Sequence, residues 1–271
     1  MQATSTGPNL TGSAVSPKGC QAMLEAVQEL HVPGPINTSA QEEQRMVYIE
    51  EAESVGSVPS PSSLVEAIKT RVSKLFGKAD PSIFLDKIGE RIAFERGGTR
   101  LYDALATKYR ALTQQSSDSL LPSVRQMAAS KTEESLLIQG PEDETPLETL
   151  TRIRAEELSH FRMLCDAMEE LGGDPTAQTP CADVTATASM GLIQVVTDPR
   201  TTLAQSLNAM VAAELIDNAG WELLATLADE AGKPEYTGQF LAALSEEQQH
   251  LAIVKGWLSV LVSERAGSLA V

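Results

Sequence analysis

Two stretches decide the fold, "AEELSHFRMLCDAMEELGG" at residues 155–173 and "LSEEQQHLAIVKGWL" at residues 244–258. In each of them, apolar side chains recur at the three-and-four spacing that marks the buried face of an α-helix. The first stretch places Glu157 and His160 within that face, and the second repeats the same Glu-x-x-His pair. Charged groups inside a helical bundle persist only when they are paired or bound to metal. The repeated pair therefore raises the question of what two such groups would hold inside a bundle.

Four long helices are predicted, at about residues 80–112, 145–173, 201–232 and 236–264. No alternating strand pattern of comparable strength competes with them, so the sequence predicts an all-α fold. The buried faces of the first and third helices also carry a carboxylate near the middle, at Glu95 and Glu214. Residues 174–200 are predicted to form a connection that is too long for an antiparallel hairpin and suits a crossover along a bundle.

A pair of divalent cations would account for these buried groups. Residues three apart point the same way from a helix, so each Glu-x-x-His pair offers an oxygen and a nitrogen to one site. The second pair consists of Glu247 and His250, and Glu95 and Glu214 supply the remaining carboxylates. Carboxylate with imidazole suits iron, manganese or zinc, whereas calcium and magnesium sites are built of oxygen alone. In the alternative interpretation, the glutamates are exposed helix formers and both histidines lie at a helix surface.

Several neighbouring residues have more than one interpretation. Glu156 and Glu246 lie four residues before the histidines and could reach them, although the apolar spacing favours them as hydrogen-bond partners of the other ring nitrogen. Asp217 is an extra ligand, a hydrogen-bond acceptor or a surface residue. Tyr102 is the candidate catalytic residue at the border of the metal cavity, with plain core as the alternative. The glycines at 97–98 leave room for a channel or for a close helix contact.

The order Glu95, Glu157-x-x-His160, Glu214, Glu247-x-x-His250 resembles the ligand order of the ferritin-like di-iron carboxylate superfamily. That superfamily takes one Glu from each of two helices and Glu-x-x-His from each of the other two. The resemblance covers about residues 81–264 and includes the long crossover between the second and third helices. It implies a ferritin-like four-helix bundle that holds two iron ions bridged by carboxylates, with manganese as the alternative metal.

The resemblance implies oxidoreductase activity on dioxygen or peroxide, with a reductant or substrate that the sequence does not name, because one fold hosts several chemistries. The alternatives are a di-iron oxygenase acting on an organic substrate, a dimanganese catalase and a metal-storage bundle without turnover. The three cysteines form no CxxC pair, which argues against classical rubrerythrin activity. An insert at 114–145 and an N-terminal appendage argue against a plain nanocage subunit.

Composition divides the chain into three parts. Residues 1–18 are rich in Ser, Thr, Gly and Pro and are predicted to be a flexible tail. Residues 19–62 are predicted to form a helical appendage with two short helices and a linker at 54–63. The bundle domain is predicted over 63–271, beginning with a short amphipathic helix at 63–77.

Net charge and cysteine content limit which binding partners and which cellular compartment suit this chain. The formal net charge of −16 opposes binding to nucleic acid and to anionic membranes. The sequence has no export signal and no long apolar run, so no membrane span is predicted. Three scattered cysteines suit a reducing cytoplasm. Two-fold association into a homodimer through a helical face is expected on general grounds.

Overall fold

The computed structural model describes residues 17–29, 39–52, 81–114, 119–129, 136–138, 140–141 and 143–268. Their regular secondary structure is α-helical, which confirms the predicted all-α class. The described residues form eight helices: α1 Pro17–Glu29, α2 Ser39–Glu51, α3 Pro81–Thr113, α4 Val124–Ala128, α5 Pro146–Glu170, α6 Pro180–Thr197, α7 Leu203–Glu230 and α8 Pro234–Ser268. Within these ranges, every helix is too short or too polar to cross a bilayer.

The chain divides into two compact units, residues 1–54 and 55–271. The first unit contains α1 and α2, which correspond to the two short helices predicted for the appendage, and α2 buries none of its residues. α1 begins at Pro17 and therefore includes the last two residues of the predicted tail. The linker at 54–63 and the short helix at 63–77 lie outside the described residues, so the predicted domain division stays a prediction.

Local sequence explains where the long helices begin and end. Thr145 caps α5 and exchanges hydrogen bonds with Glu148 in a capping box, and Thr202 starts α7 in the same way. Gly172 and Gly232 follow the ends of these two helices with φ of 84° and 66°. Only glycine adopts such a conformation without strain, so the two glycines end the helices at defined points.

Two apolar clusters fill the interior of the second unit. The first cluster comprises Phe84, Ile88, Ile92, Leu164, Ala167, Met168, Leu171, Trp221, Leu224, Ala225, Ala228, Tyr236, Phe240 and Ala243. The second cluster includes Leu101, Tyr102, Leu105, Leu150, Ile153, Leu203, Leu207, Met210, Ala252, Ile253, Val254 and Trp257. Each of the four long helices contributes to both clusters, so the four pack around one interior.

The order in which each helix meets the clusters gives its direction. α3 and α8 enter the first cluster with their early residues, Phe84 and Tyr236, and reach the second cluster later. α5 and α7 meet the second cluster first and the first cluster last. α3 and α8 therefore run one way through the unit, and α5 and α7 run the other way.

The connection between α5 and α7 contains a helix that was not predicted from the sequence. α6 begins beside α3, where the Thr179 hydroxyl donates to the Asp86 carbonyl, and it ends near Val196, a fully buried member of the second cluster. Thr179 as cap and Pro180 as first residue are the signals of this helix in the sequence. These signals were not enough to predict the helix, because the Thr, Val and Ala residues that follow are mostly not buried and form no apolar stripe.

Candidate metal centre

The six predicted ligands lie in the layer between the two apolar clusters. All of them are buried, none more than 4% exposed: Glu95, Glu157, His160, Glu214, Glu247 and His250. The competing glutamates point elsewhere, since the side chains of Glu156 and Glu246 are 26% and 48% exposed. The interpretation of these residues as exposed helix formers therefore does not describe Glu157, Glu247 or the two histidines.

The ligand atoms of the six residues fall into two groups that share Glu247: one is Glu157, Glu214, Glu247 and His250, and the other is Glu95, His160 and Glu247. A third group joins Glu95, Glu157 and Glu247 with Asp217, and in every group the atoms lie within 4.8 Å of one another. Glu247 Oε1 lies 2.8 Å from His160 Nδ1, and Glu247 Oε2 lies 3.0 Å from His250 Nδ1. Glu247 therefore presents one oxygen to each histidine and stands between the two groups.

Many polar atoms of this layer have no hydrogen-bond partner among the described residues. They include both carboxylate oxygens of Glu95, one oxygen each of Glu157, Glu214 and Glu247, and His160 Nδ1. His160 Nδ1 and Glu247 Oε1 are close, but their relative direction is not that of a hydrogen bond. Unsatisfied buried polar groups cost about 1–3 kcal/mol each. A set of inward-facing oxygens and a ring nitrogen with no other partner fits a pair of divalent transition-metal ions.

Burial and mutual repulsion shift the pKa values of the carboxyl groups. Desolvation, reinforced by the charge of Glu247, raises the pKa of Glu157 to about 8. The same two causes raise the pKa values of Glu214 and Asp217 well above their ordinary values. Burial alone would lower the pKa of His160, but the adjacent carboxylates raise it to about 11. Without cations, the layer therefore holds protons that metal ions would replace.

The outer nitrogens of the histidines are held in a crosswise manner by Glu156, which is half-buried, and by Glu246, which is exposed. His160 on α5 has its Nε2 2.8 Å from Glu246 Oε2 on α8, and His250 on α8 has its Nε2 2.8 Å from Glu156 Oε2 on α5. Such carboxylate contacts fix the orientation of a ligating imidazole. Both rings are therefore oriented with Nδ1 toward the centre, and the two contacts link α5 to α8.

A pocket of about 280 Å³ opens beside His250. Its lining includes Arg152 and Gln249 together with the two glutamates that hold the histidines. Arg152 donates to Glu156 at 2.9 Å and to Glu144 at 2.8 Å, which fixes one wall of the pocket. Small polar molecules can therefore approach the outer side of the histidine layer.

Tyr102 lies at the border of the centre. It is fully buried, its hydroxyl donates to Glu214 Oε1, and its ring centroid is 6.2 Å from that of His250. Burial and the neighbouring Glu214 carboxylate raise the pKa of Tyr102 well above its ordinary value, so the hydroxyl keeps its proton. Its position thus allows hydrogen bonding to a ligand, whereas its catalytic role stays a prediction.

The two adjacent glycines of α3 have different surroundings. A Cβ on Gly98 would overlap the Glu157 carboxylate and lie 2.8 Å from its carboxyl carbon. A Cβ on Gly97 would meet nothing within 4 Å. Gly98 therefore allows the close approach between α3 and the Glu157 side chain that brings this predicted ligand into the buried layer.

Arg91 is a component of the centre that the sequence analysis missed. It is 1% exposed and forms an ion pair with Asp217, which is itself buried. Its Cζ atom lies 4.4 Å from the ring centre of Phe94, and a Cβ on Gly220 would come within 2.5 Å of the guanidinium. Arg91 lies one position before the apolar face of α3, which is why the helical spacing did not select it. Asp217 on the buried face of α7, with no partner in the sequence pattern, was the signal that could have pointed to a buried cation.

No protein family, curated protein or solved structure matches this chain.

Proposed function

We propose that this protein is a ferritin-like di-metal carboxylate protein that binds two iron ions and acts as an oxidoreductase on dioxygen or peroxide. The position of Glu247 carries the proposal. This fully buried carboxylate presents one oxygen to His160 and the other to His250, and it belongs to both groups of ligand atoms. A shared carboxylate between two such groups is the arrangement that a bridged pair of ions requires.

The course of the chain supports the ferritin-like part of the proposal. α3 and α8 run one way and α5 and α7 the other, with α6 leading from the first apolar cluster toward the second. A bundle with one long crossover follows this order, and its metal sites are built from inward-facing side chains of all four helices.

The donor set supports iron or manganese. Four carboxylates and two imidazoles provide hard oxygen ligands and borderline nitrogen ligands, which suit iron and manganese better than calcium or magnesium. Four ligand carboxylates also balance the charge of two divalent ions. The same donor set would take manganese, and a dimanganese centre would direct the function toward peroxide disproportionation.

In this proposed function, different residues would have different roles. A bound pair of iron ions would supply the redox chemistry with dioxygen or peroxide. The six predicted ligands would hold the pair, while Glu246 and Glu156 keep the two imidazoles in position. Tyr102 donates its hydroxyl proton in a hydrogen bond to Glu214 and stays protonated. The apolar clusters on either side limit the access of water, and the pocket beside His250 admits small reactants.

Ferrous oxidation tests the proposal. Two ferrous ions per chain are added without oxygen, and the solution is then mixed with dioxygen or peroxide while the optical spectrum and the consumption of oxidant are followed. We expect oxidation much faster than that of free ferrous ions, with a near-ultraviolet band from the oxidised centre. His160→Ala should lose this acceleration, and Ser159→Ala, which changes an exposed neighbour on the same helix, should keep it. Oxidation by the wild type at the rate of free ferrous ions would overturn the proposal.

A further inference from the structure

A fifth buried carboxylate lies at ligating distance from the centre. One oxygen of Asp217 lies within 4.8 Å of ligand oxygens of Glu95, Glu157 and Glu247. Asp217 is 2% exposed and follows Glu214 by three residues on α7, so both carboxylates project from one side of that helix. By chemistry and by distance, Asp217 is able to join the centre as a seventh protein ligand.

Arg91 occupies this carboxylate instead. Its Nη1 atom is ion-paired with Asp217 Oδ1 and also donates to the Asp217 carbonyl at 3.2 Å. The same nitrogen lies 4.0 Å from Glu95 Oε1. Two contacts to one residue hold the guanidinium against α7, and the space left by Gly220 lets it lie close to that helix.

Charge balance gives this pairing a reason. Two divalent ions match four ligand carboxylates, so a fifth ionised carboxylate needs a cation of its own in the buried layer. Arg91 supplies that cation from α3, one turn before Glu95. Its charge is permanent, and its planar group offers several donors. The ion pair with Asp217 is thus a neutral unit beside a centre that is already balanced.

We infer that Arg91 is a positioning residue whose ion pair with Asp217 Oδ1 competes with metal for that carboxylate and so keeps a seventh protein ligand out of the centre. The inference rests on the proposed function, because it concerns the same pair of ions. Its consequence is that the group formed by Glu95, His160 and Glu247 remains the smaller of the two and leaves space for a reactant that binds through oxygen.

Cobalt(II) is the probe for the test, because its visible absorption reports coordination number and it does not react readily with air in such sites. Three proteins are compared as full chains: the wild type, Arg91→Met, and the double variant Arg91→Met with Asp217→Asn. Arg91→Met frees Asp217, and the double variant replaces one neutral pair by another. The measurements are the number of cobalt ions bound, the visible spectrum and the rate of cobalt release to excess EDTA.

We expect Arg91→Met to show weaker visible absorption, as a higher coordination number gives, and about tenfold slower release, within the range for changes around a metal site. The double variant should return to the spectrum and release rate of the wild type. Arg91→Met with wild-type spectrum and release rate would overturn the inference.

The double variant keeps the inference falsifiable when Arg91→Met does not fold. A double variant that loses cobalt, or has a changed spectrum, would show that Asp217 is already a ligand in the wild type and would overturn the inference. A wild type that takes up no cobalt, and likewise no iron or manganese, would instead overturn the proposed function and this inference together. If the wild type binds cobalt and Arg91→Met has the same spectrum and release rate, the inference alone is overturned.

Discussion

The helix pairs α3–α5 and α7–α8 contribute the same ligand types and different neighbours. Each pair gives one Glu from its first helix and Glu-x-x-His from its second. Glu214 on α7 accepts a hydrogen bond from Tyr102, whereas neither oxygen of Glu95 on α3 has a partner among the described residues. The cation beside the centre, Arg91, also comes from α3 alone.

This comparison separates what the two positions share from how they differ. Holding two cations would require matched sets of ligands, and the two helix pairs present such sets of buried side chains almost symmetrically. The neighbouring residues make the two positions unequal. On our account, the position next to Glu214 is the more fully held one, and the position next to Glu95 is the more open one.

Removal of the Glu247 carboxylate should have the largest effect, because it takes a ligand from both groups of ligand atoms at once. Glu247 belongs to every group of ligand atoms in the layer, so we expect Glu247→Gln to lose both ions. Metal content after loading with ferrous iron or manganese(II) measures the effect. Glu235→Gln, the same change at an exposed position on α8, serves as the control and should keep two ions. A Glu247→Gln protein with full metal content would contradict the bridging role.

A change of pH should have the next largest effect on stability, and the size of that effect should depend on whether metal is bound. In the metal-free protein, the folded state binds a proton on Glu157 up to a pKa of about 8, compared with an ordinary value of 4.5. His160 likewise has a pKa of about 11 in place of 6.5. Both groups give stability that is fully present below their ordinary pKa values and is lost as pH rises toward the folded values. Glu247, whose pKa is lowered, stays ionised over this window and does not oppose the trend.

Thermal unfolding at about pH 6 and about pH 9 checks this expectation. The metal-free protein should unfold at a lower temperature at the higher pH. The rise in unfolding temperature caused by manganese(II) should be larger at the higher pH, because metal ions replace those protons. A metal-induced rise that shrinks with pH would contradict the assignment of Glu157 and His160 as ligands.

The glycine pair of α3 offers a matched test of one half of the centre. Gly98→Ala should displace the Glu157 carboxylate and weaken metal binding about tenfold or more, since a Cβ there would overlap that carboxylate. Gly97→Ala has open space and should leave binding unchanged while stabilising the helix by up to ~1 kcal/mol. Manganese titration and chemical denaturation measure the two effects. Equal metal affinity in both variants would mean that the close approach at Gly98 is not needed.

Tyr102→Phe should have the smallest effect on stability and metal content, and it should alter only the surroundings of Glu214. Loss of the hydroxyl leaves a buried carboxylate oxygen without its donor, which costs the metal-free protein about 1–3 kcal/mol. The loaded protein should lose less, because the ligand is then held by metal, and it should keep two ions. Loss of metal from Tyr102→Phe would indicate that the tyrosine itself is a ligand.

The sequence allowed prediction of the elements whose signals are local. Thr-Pro starts and glycine stops bounded α5, and the buried faces of the four long helices selected all six inward-facing side chains. α6 was missed because its apolar residues do not form a stripe along one face of the helix. Arg91 was missed because burial at that position depends on the space left by Gly220 of another helix, which no spacing within α3 can show.

For the crosswise contacts, the sequence predicted the residues that take part but not how they pair. The sequence predicted Glu156 and Glu246 as partners of the outer ring nitrogens, since four-residue spacing allows contact with a histidine on the same helix. The structure instead pairs each glutamate with the histidine of the other helix. That choice depends on the distance and register between α5 and α8, which are tertiary properties.

Metal content per chain tests the central claim most directly. The protein is purified without chelators, loaded anaerobically with ferrous iron or manganese(II), passed through a desalting column and submitted to elemental analysis. Our account predicts two ions per chain, bound by the six buried ligands. A protein that carries no metal and takes up none would contradict it, since the unpartnered oxygens of the layer would then be satisfied in some other way.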